Sequence, residues 1–283
     1  MMATATLTRL EGERMLRHPA LWLGLPVMLW WVSSTFDQDW SGALYTGLIP
    51  AFTPLLLGIS LASMSAFSRE HVPVADDAPM ASSQRSAARL LAGLGPVALT
   101  ALVVVAGTIW LRVRGGLDLG DEPGRTLHAH YTLPELIQPV LLACVAVAAG
   151  AAVVHVVRSR LAAAILLVVG WFLVGTYWLF DSPVVRYLAP VQPQPWQVEV
   201  GPWDADPTAF PSTWLLSAPG EYQDHWARIV VSPAVAAWHD VYLVGLVAVL
   251  VGIAVPGRFR VPLLVGGVIV AAAAAGMQSV VAP

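Results

Sequence analysis

Seven apolar runs of membrane-spanning length follow one another along the chain: residues 20–36, 43–67, 90–111, 136–157, 161–180, 234–256 and 261–282. A helix rises about 1.5 Å per residue, so about 20 apolar residues cross a hydrocarbon core of roughly 30 Å. Such runs leave the backbone little choice, because every N–H and C=O inside lipid must be satisfied within the segment. Composition agrees: only 12% of the 283 residues are charged and mean hydropathy is +0.68, against about 25% charged in a typical soluble domain. The expected fold is all-α: a polytopic integral membrane bundle of six to seven transmembrane helices with an N-terminal interfacial helix.

The polar segments set the organisation. Residues 1–19 precede the first run, and within them 4–18 read as a helix lying on the membrane surface. Thr8-x-x-Glu11 has capping-box spacing, Glu13 and Arg17 are an i,i+4 pair, and Pro19 stops the helix. Leu7, Leu10 and Met15 share a broad face, with Leu16 opposite. Residues 20–180 hold runs one to five, and Pro50 and Pro54 predict a kink in run two. The charged, Pro-broken turn 68–89 separates runs two and three, and Ala81–Arg89 is rich enough in small residues for a short helix. Residues 181–233 are the only long non-apolar stretch. With nine of the 22 prolines and Trp196, Trp203, Trp214 and Trp226, they read as short helices and turns at the outer leaflet. Residues 234–283 hold runs six and seven.

A cytoplasmic N-terminus places 1–19, 68–89, 158–160 and 257–260 inside, with ten Arg and five acidic residues. The outer segments then hold five Arg and thirteen acidic residues, which is the positive-inside pattern. All six tyrosines fall near the outer face, as an aromatic belt would. The expected location is a cell membrane, of the bacterial plasma-membrane kind, crossed several times. Run seven ends at the last residues with no charge to pin it. It reads either as a seventh span, a late-inserted hairpin or a helix at the bundle edge.

Several chemistries lack their residues. All fifteen basic residues are Arg, so there is no lysine for a P-loop or a Schiff base, and no G-x-S-x-G nucleophile elbow occurs. The chain is expected not to be an enzyme, and nothing in it suggests a nucleic-acid partner. The single cysteine, Cys144, sits in an apolar run and reads as a core thiol. His128 and His130, with Glu135, and the pairs Asp224-His225 and His239-Asp240 are outer-side N/O donors of a kind that suits zinc or copper, but their spacing dictates no third ligand, and no metal site is assigned. His239 and Asp240 open run six, where solvation is cheap; His155, three residues before Arg158, can snorkel to the inner surface.

The opening TRLEGERMLRHPALWLGLP, the segment FSREHVPVADDAPMASSQRSAARLLAGL and the run VSPAVAAWHDVYLVGLVAVL together resemble the permease subunits of type-2 ABC exporters. These stretches match, in order, that family's interfacial helix and first span, its first cytoplasmic loop, and its last span. The resemblance implies a dimerising permease, with a second copy or a related permease, above a separate ABC ATPase subunit. ATP and Mg²⁺ would belong to that subunit, and no cofactor to this chain. It also implies that Arg69, Glu70, Asp76, Asp77, Arg85 and Arg89 contact the ATPase, and that Leu7, Arg9, Leu10, Arg14 and Arg17 belong to the interfacial helix. The family usually has six spans with both ends inside, so run seven is additional. Two other readings stand beside this one: a membrane-embedded ligand-binding or sensory protein without an ATPase, and a metal-handling membrane protein using His128 and His130.

Overall fold

The computed structural model describes residues 2–34, 43–69, 81–117, 129–176, 183–192, 195–220 and 223–283. The described residues are mostly helical, at 75%. The N-terminal helix α1 (Met2–Leu16) is followed by α2 (Pro19–Ser34). Run two is broken into a short α3 (Ala43–Leu48), a 3-10 turn (Pro50–Phe52) and α4 (Thr53–Ser68). Pro50 and Pro54 each sit in the first turn of a helical piece, where the missing N–H costs nothing, so they mark a break between pieces and not a bend within one helix.

After the charged turn come α5 (Ser82–Ala92) and α6 (Leu94–Arg114), joined through Gly93. Gly115, at φ 86°, closes α6 in the left-handed region. Four further long helices follow: α7 (Leu133–Val156), α8 (Arg160–Gly175), α10 (Pro233–Ala254) and α11 (Arg260–Val281). Short α9 (Pro183–Leu188) lies between α8 and α10.

Among the described residues, five helical stretches are long and apolar enough to cross a membrane: Pro50–Ser68, Ser82–Arg114, Leu133–Val156, Pro233–Ala254 and Arg260–Val281. Runs one and five form the 16-residue helices α2 and α8, which at 1.5 Å per residue reach about 24 Å. The bundle is therefore of the helical membrane type, with five helices of full spanning length against the six or seven expected.

Helices α4 and α7 form its centre. Ser60 Oγ donates to Ala146 O at 3.0 Å and Ser63 Oγ to Val147 O at 2.7 Å. A Cβ on Gly150 would stand 2.2 Å from Ser60 O, so only glycine lets the backbones come this close. The crossing of α2 over α4 works the same way: a Cβ on Gly24 would meet Pro54 O, and one on Gly58 would meet Ala20 O, both at 2.4 Å. The periphery is inverted relative to a soluble protein. Leu23, Leu102, Phe172 and Ile269 on α2, α6, α8 and α11 are each more than half exposed, as a lipid-facing surface requires. Run seven is a hairpin partner of α10, with Gly245 and Gly267 facing each other across the contact.

The segment between α8 and α10 departs from the all-α expectation. Beyond α9 it forms a three-stranded antiparallel sheet from β1 (Trp196–Pro202), β2 (Leu216–Ser217) and β3 (His225–Val230), in the order β1-β3-β2. Trp196 pairs with Val230 and Pro202 with His225, and a bulge lies between Glu199 and Gly201. The reason is local: Trp196-Gln-Val-Glu-Val200 alternates apolar and polar residues at the period of a strand, and Pro202 sits at the strand end where its missing donor is tolerated. Aromatic contacts hold the sheet, including Tyr187 stacked on Trp196 at 5.6 Å and Arg228 over Trp214 at 4.6 Å.

Candidate coupling surface and buried polar sites

Helix α1 lies against α5, with contacts to α4 and α6. Its packed face differs from the expected one. Glu11 and Met15 are buried, Leu16 approaches Gly95, and Gly12 sits over Ala92. Leu10 is 47% exposed and Leu7 half-buried, while Arg9, Arg14 and Arg17 point outward. Thr8 lies inside the helix and caps nothing, because α1 already begins at Met2. Glu13 pairs with Arg9 at 3.1 Å and not with Arg17, although the Arg17 N–H still donates to Glu13 O at 3.0 Å and closes the last turn of the helix.

Glu11 instead ties the corner together. It is 2% exposed, and its carboxylate accepts from Arg69, the residue that ends α4, and from Arg14 at 3.4 Å. A buried carboxylate needs such partners. Beside this pair, His18 lies between α1 and α2, and its Nδ1 accepts from the Ala20 N–H at 3.3 Å. Burial, and then the Arg69 charge, hold its imidazole below the ordinary histidine range.

The remaining residues assigned to the coupling surface divide. Arg85 is half-buried on α5. Arg89 is 5% exposed, with its guanidinium 6.0 Å over the Phe67 ring, so it faces into the bundle and not toward a partner. His155 meets the same Phe67 ring edge-on at 6.3 Å, and Arg160 donates to Ser68 O at 3.3 Å. Glu70, Asp76 and Asp77 lie outside the described residues.

Two buried polar sites at the other end of the bundle were not anticipated. Thr132 and Glu135 form a capping box at the start of α7. Glu135 Oε2 accepts from Thr132 N at 2.7 Å and Thr132 Oγ1 at 2.6 Å, and Oε1 accepts from Tyr45 at 2.9 Å. Tyr131 stacks on Tyr45 at 4.3 Å and donates to its carbonyl. The signal was present in Thr132-Leu-Pro-Glu135 before an apolar run, the same T-x-x-E spacing that was noticed at Thr8.

At the second site His239, expected to be solvated at the membrane boundary, is wholly buried. It sits among Pro190 O at 2.9 Å and Gln278 Oε1 at 3.3 Å, and Gln192 donates to the same Gln278 oxygen at 2.7 Å. This cluster fastens the segment after α9 onto α10 and α11. Only the pairing of His239 with a glutamine on run seven could have revealed it, and no local pattern carries that. His225 lies 3.3 Å from Asp224, and His130 is exposed. His128 is outside the described residues, among which no group of three or more His, Cys, Asp or Glu is placed to hold a metal.

No family model matches the chain, and neither curated proteins nor solved structures give a match.

Proposed function

We propose that this chain is the membrane-spanning permease subunit of an ATP-driven exporter of the type-2 ABC class, coupled to a separate ATPase on the face that carries α1 and α5. The observation that supports this most is the unit made by α1, α5 and the end of α4. A helix outside the bundle is locked to the residue that ends a central helix by the buried Glu11–Arg69 pair. A push on α1 or α5 is thereby passed to α4, and through Gly93 to α6, without a hinge made of loose chain. Closure of an ATPase dimer below would shift the bundle between two packed arrangements, as in other rigid-body switches. Arg85 and the outward-facing Arg9, Arg14 and Arg17 are the contacts offered downward; Asp76 and Asp77 are added from the sequence.

The test is affinity purification of the tagged chain from its host in a mild detergent. Co-purification of a P-loop ATPase supports the reading. Arrival of the chain alone, under conditions that keep a control transporter intact, sinks it. A second reading, a membrane ligand-binding protein with no ATPase, is favoured by the apolar cavity beside Glu135, and the same purification decides between them.

A further inference from the structure

A cavity of about 540 Å³ lies between α2, α6 and the start of α7. Its wall is nearly all hydrocarbon and aromatic, with Met28, Phe52, Val104 and Leu111 among the lining residues. Among the described residues one carboxyl group reaches it, that of Glu135. That side chain is 2% exposed, and among the described residues no Arg or His lies within ion-pair distance of it.

The hydrogen bonds around Glu135 fix what kind of group is missing. Thr132 N–H, Thr132 Oγ1–H and the Tyr45 hydroxyl all donate to the carboxylate. All three are donors, and among the described residues no acceptor faces the carboxylate. Oε2 takes both Thr132 bonds, while Oε1 has only the Tyr45 hydroxyl as its close donor and keeps a lone pair. A carboxyl group buried at the membrane boundary, with no counter-charge among the described residues, points to a functional partner. Phe52, Trp110 and Tyr131 are among the lining residues; aromatic faces attract cations, and Trp110 already carries Arg114 over its ring at 5.0 Å.

From this we infer that the cavity binds a lipophilic organic cation, its hydrocarbon body filling the space between α2 and α6 and its charge set against Glu135. As the cargo class of the proposed exporter, this rests on that reading. As a binding site on the chain it stands alone, and binding to the purified chain without any ATPase keeps the two separable.

Two ions of the same shape and opposite sign make the test: tetraphenylphosphonium and tetraphenylborate. Each is equilibrated with the purified full-length chain in nanodiscs, with empty nanodiscs subtracted. The expected result is saturable binding of the cation and none of the anion. Glu135→Gln keeps a capping-box residue at this position while removing the charge, and should weaken cation binding at least tenfold. Gly107→Phe leaves Glu135 untouched. Gly107 lines the cavity, and a Cβ there meets nothing within 4 Å, so the added ring enters free space and should also abolish binding. Equal binding of both ions, no saturable cation binding by the wild type, or full cation binding by Gly107→Phe each overturns the inference, leaving a crevice filled by ordinary lipid.

Discussion

Trp171 donates its indole N–H to Ser60 Oγ at 2.8 Å, while Ser60 donates onward to Ala146 O at 3.0 Å. One hydroxyl thus joins α8, α4 and α7 in the middle of an apolar bundle. Interhelical hydrogen bonds in membranes contribute about 0.6 kcal/mol on average and up to about 1.7. Ser60→Ala removes both bonds of this relay and leaves the buried indole N–H without its acceptor, so a loss of about 1–2 kcal/mol is expected. Gly150→Val should be worse, since even its Cβ would overlap the Ser60 carbonyl. Thermal unfolding in one detergent ranks the variants; Gly150→Val at wild-type stability would contradict the close crossing of α4 and α7.

The Glu11–Arg69 pair offers a second measurement. Removing Arg69 leaves the buried Glu11 carboxylate with only the longer Arg14 contact at 3.4 Å; breaking a fully enclosed pair costs about 3–5 kcal/mol. The Arg69 side chain is 36% exposed, so solvent screens part of this and about 1–3 kcal/mol is expected for Arg69→Ala. The double variant Glu11→Gln/Arg69→Ala should recover part of that loss. A strictly additive double-mutant cycle would show that the two side chains do not interact.

Much of this corner could be read from the residues beforehand, and the reasons for success and failure differ by element. A polar helix ending before Pro19 and the short helix before run three follow from local signals, which act within a few residues, although the Thr8 cap and the Glu13–Arg17 pair do not form and the helix begins earlier, at Met2. The face that α1 buries could not be read, because Glu11 is buried only through Arg69, 58 positions away. The same holds for His239 and Gln278, which are 39 positions apart. Residues 196–200 are a different kind of miss. Their strand alternation was visible, but proline and tryptophan content drew the reading toward turns. For Glu135 the T-x-x-E signal was local, whereas the cavity it faces exists only once α2 and α6 are placed.

His18 gives a pH dependence whose sign follows from its surroundings. Burial and Arg69 lower its pKa in the folded chain, and its Nδ1 is used as an acceptor, so the fold holds it neutral. A lowered folded value means the contribution is fully present above the unfolded value, near 6.5. It is lost as pH falls through that value toward the folded one. Melting of the wild type should therefore decline on acidification from about pH 6.5, and His18→Gln should flatten that part of the profile. An unchanged profile in His18→Gln would remove His18 as its source.

The coupling reading makes its own demand on the turn between α4 and α5. Asp76 and Asp77 lie outside the described residues, yet they are acidic residues in a segment flanked by Arg69 and Arg85. If an ATPase docks here, the sign of this charge matters. Because both lie in a charged stretch of the sequence outside the apolar runs, reversal to Arg should leave melting within about 1 kcal/mol of wild type. It should also lower transport per ATP hydrolysed at least several-fold in the reconstituted complex. Transport and hydrolysis are followed together in proteoliposomes, and wild-type coupling in the reversed variant would remove this turn from the proposed contact and leave α1 alone to carry it.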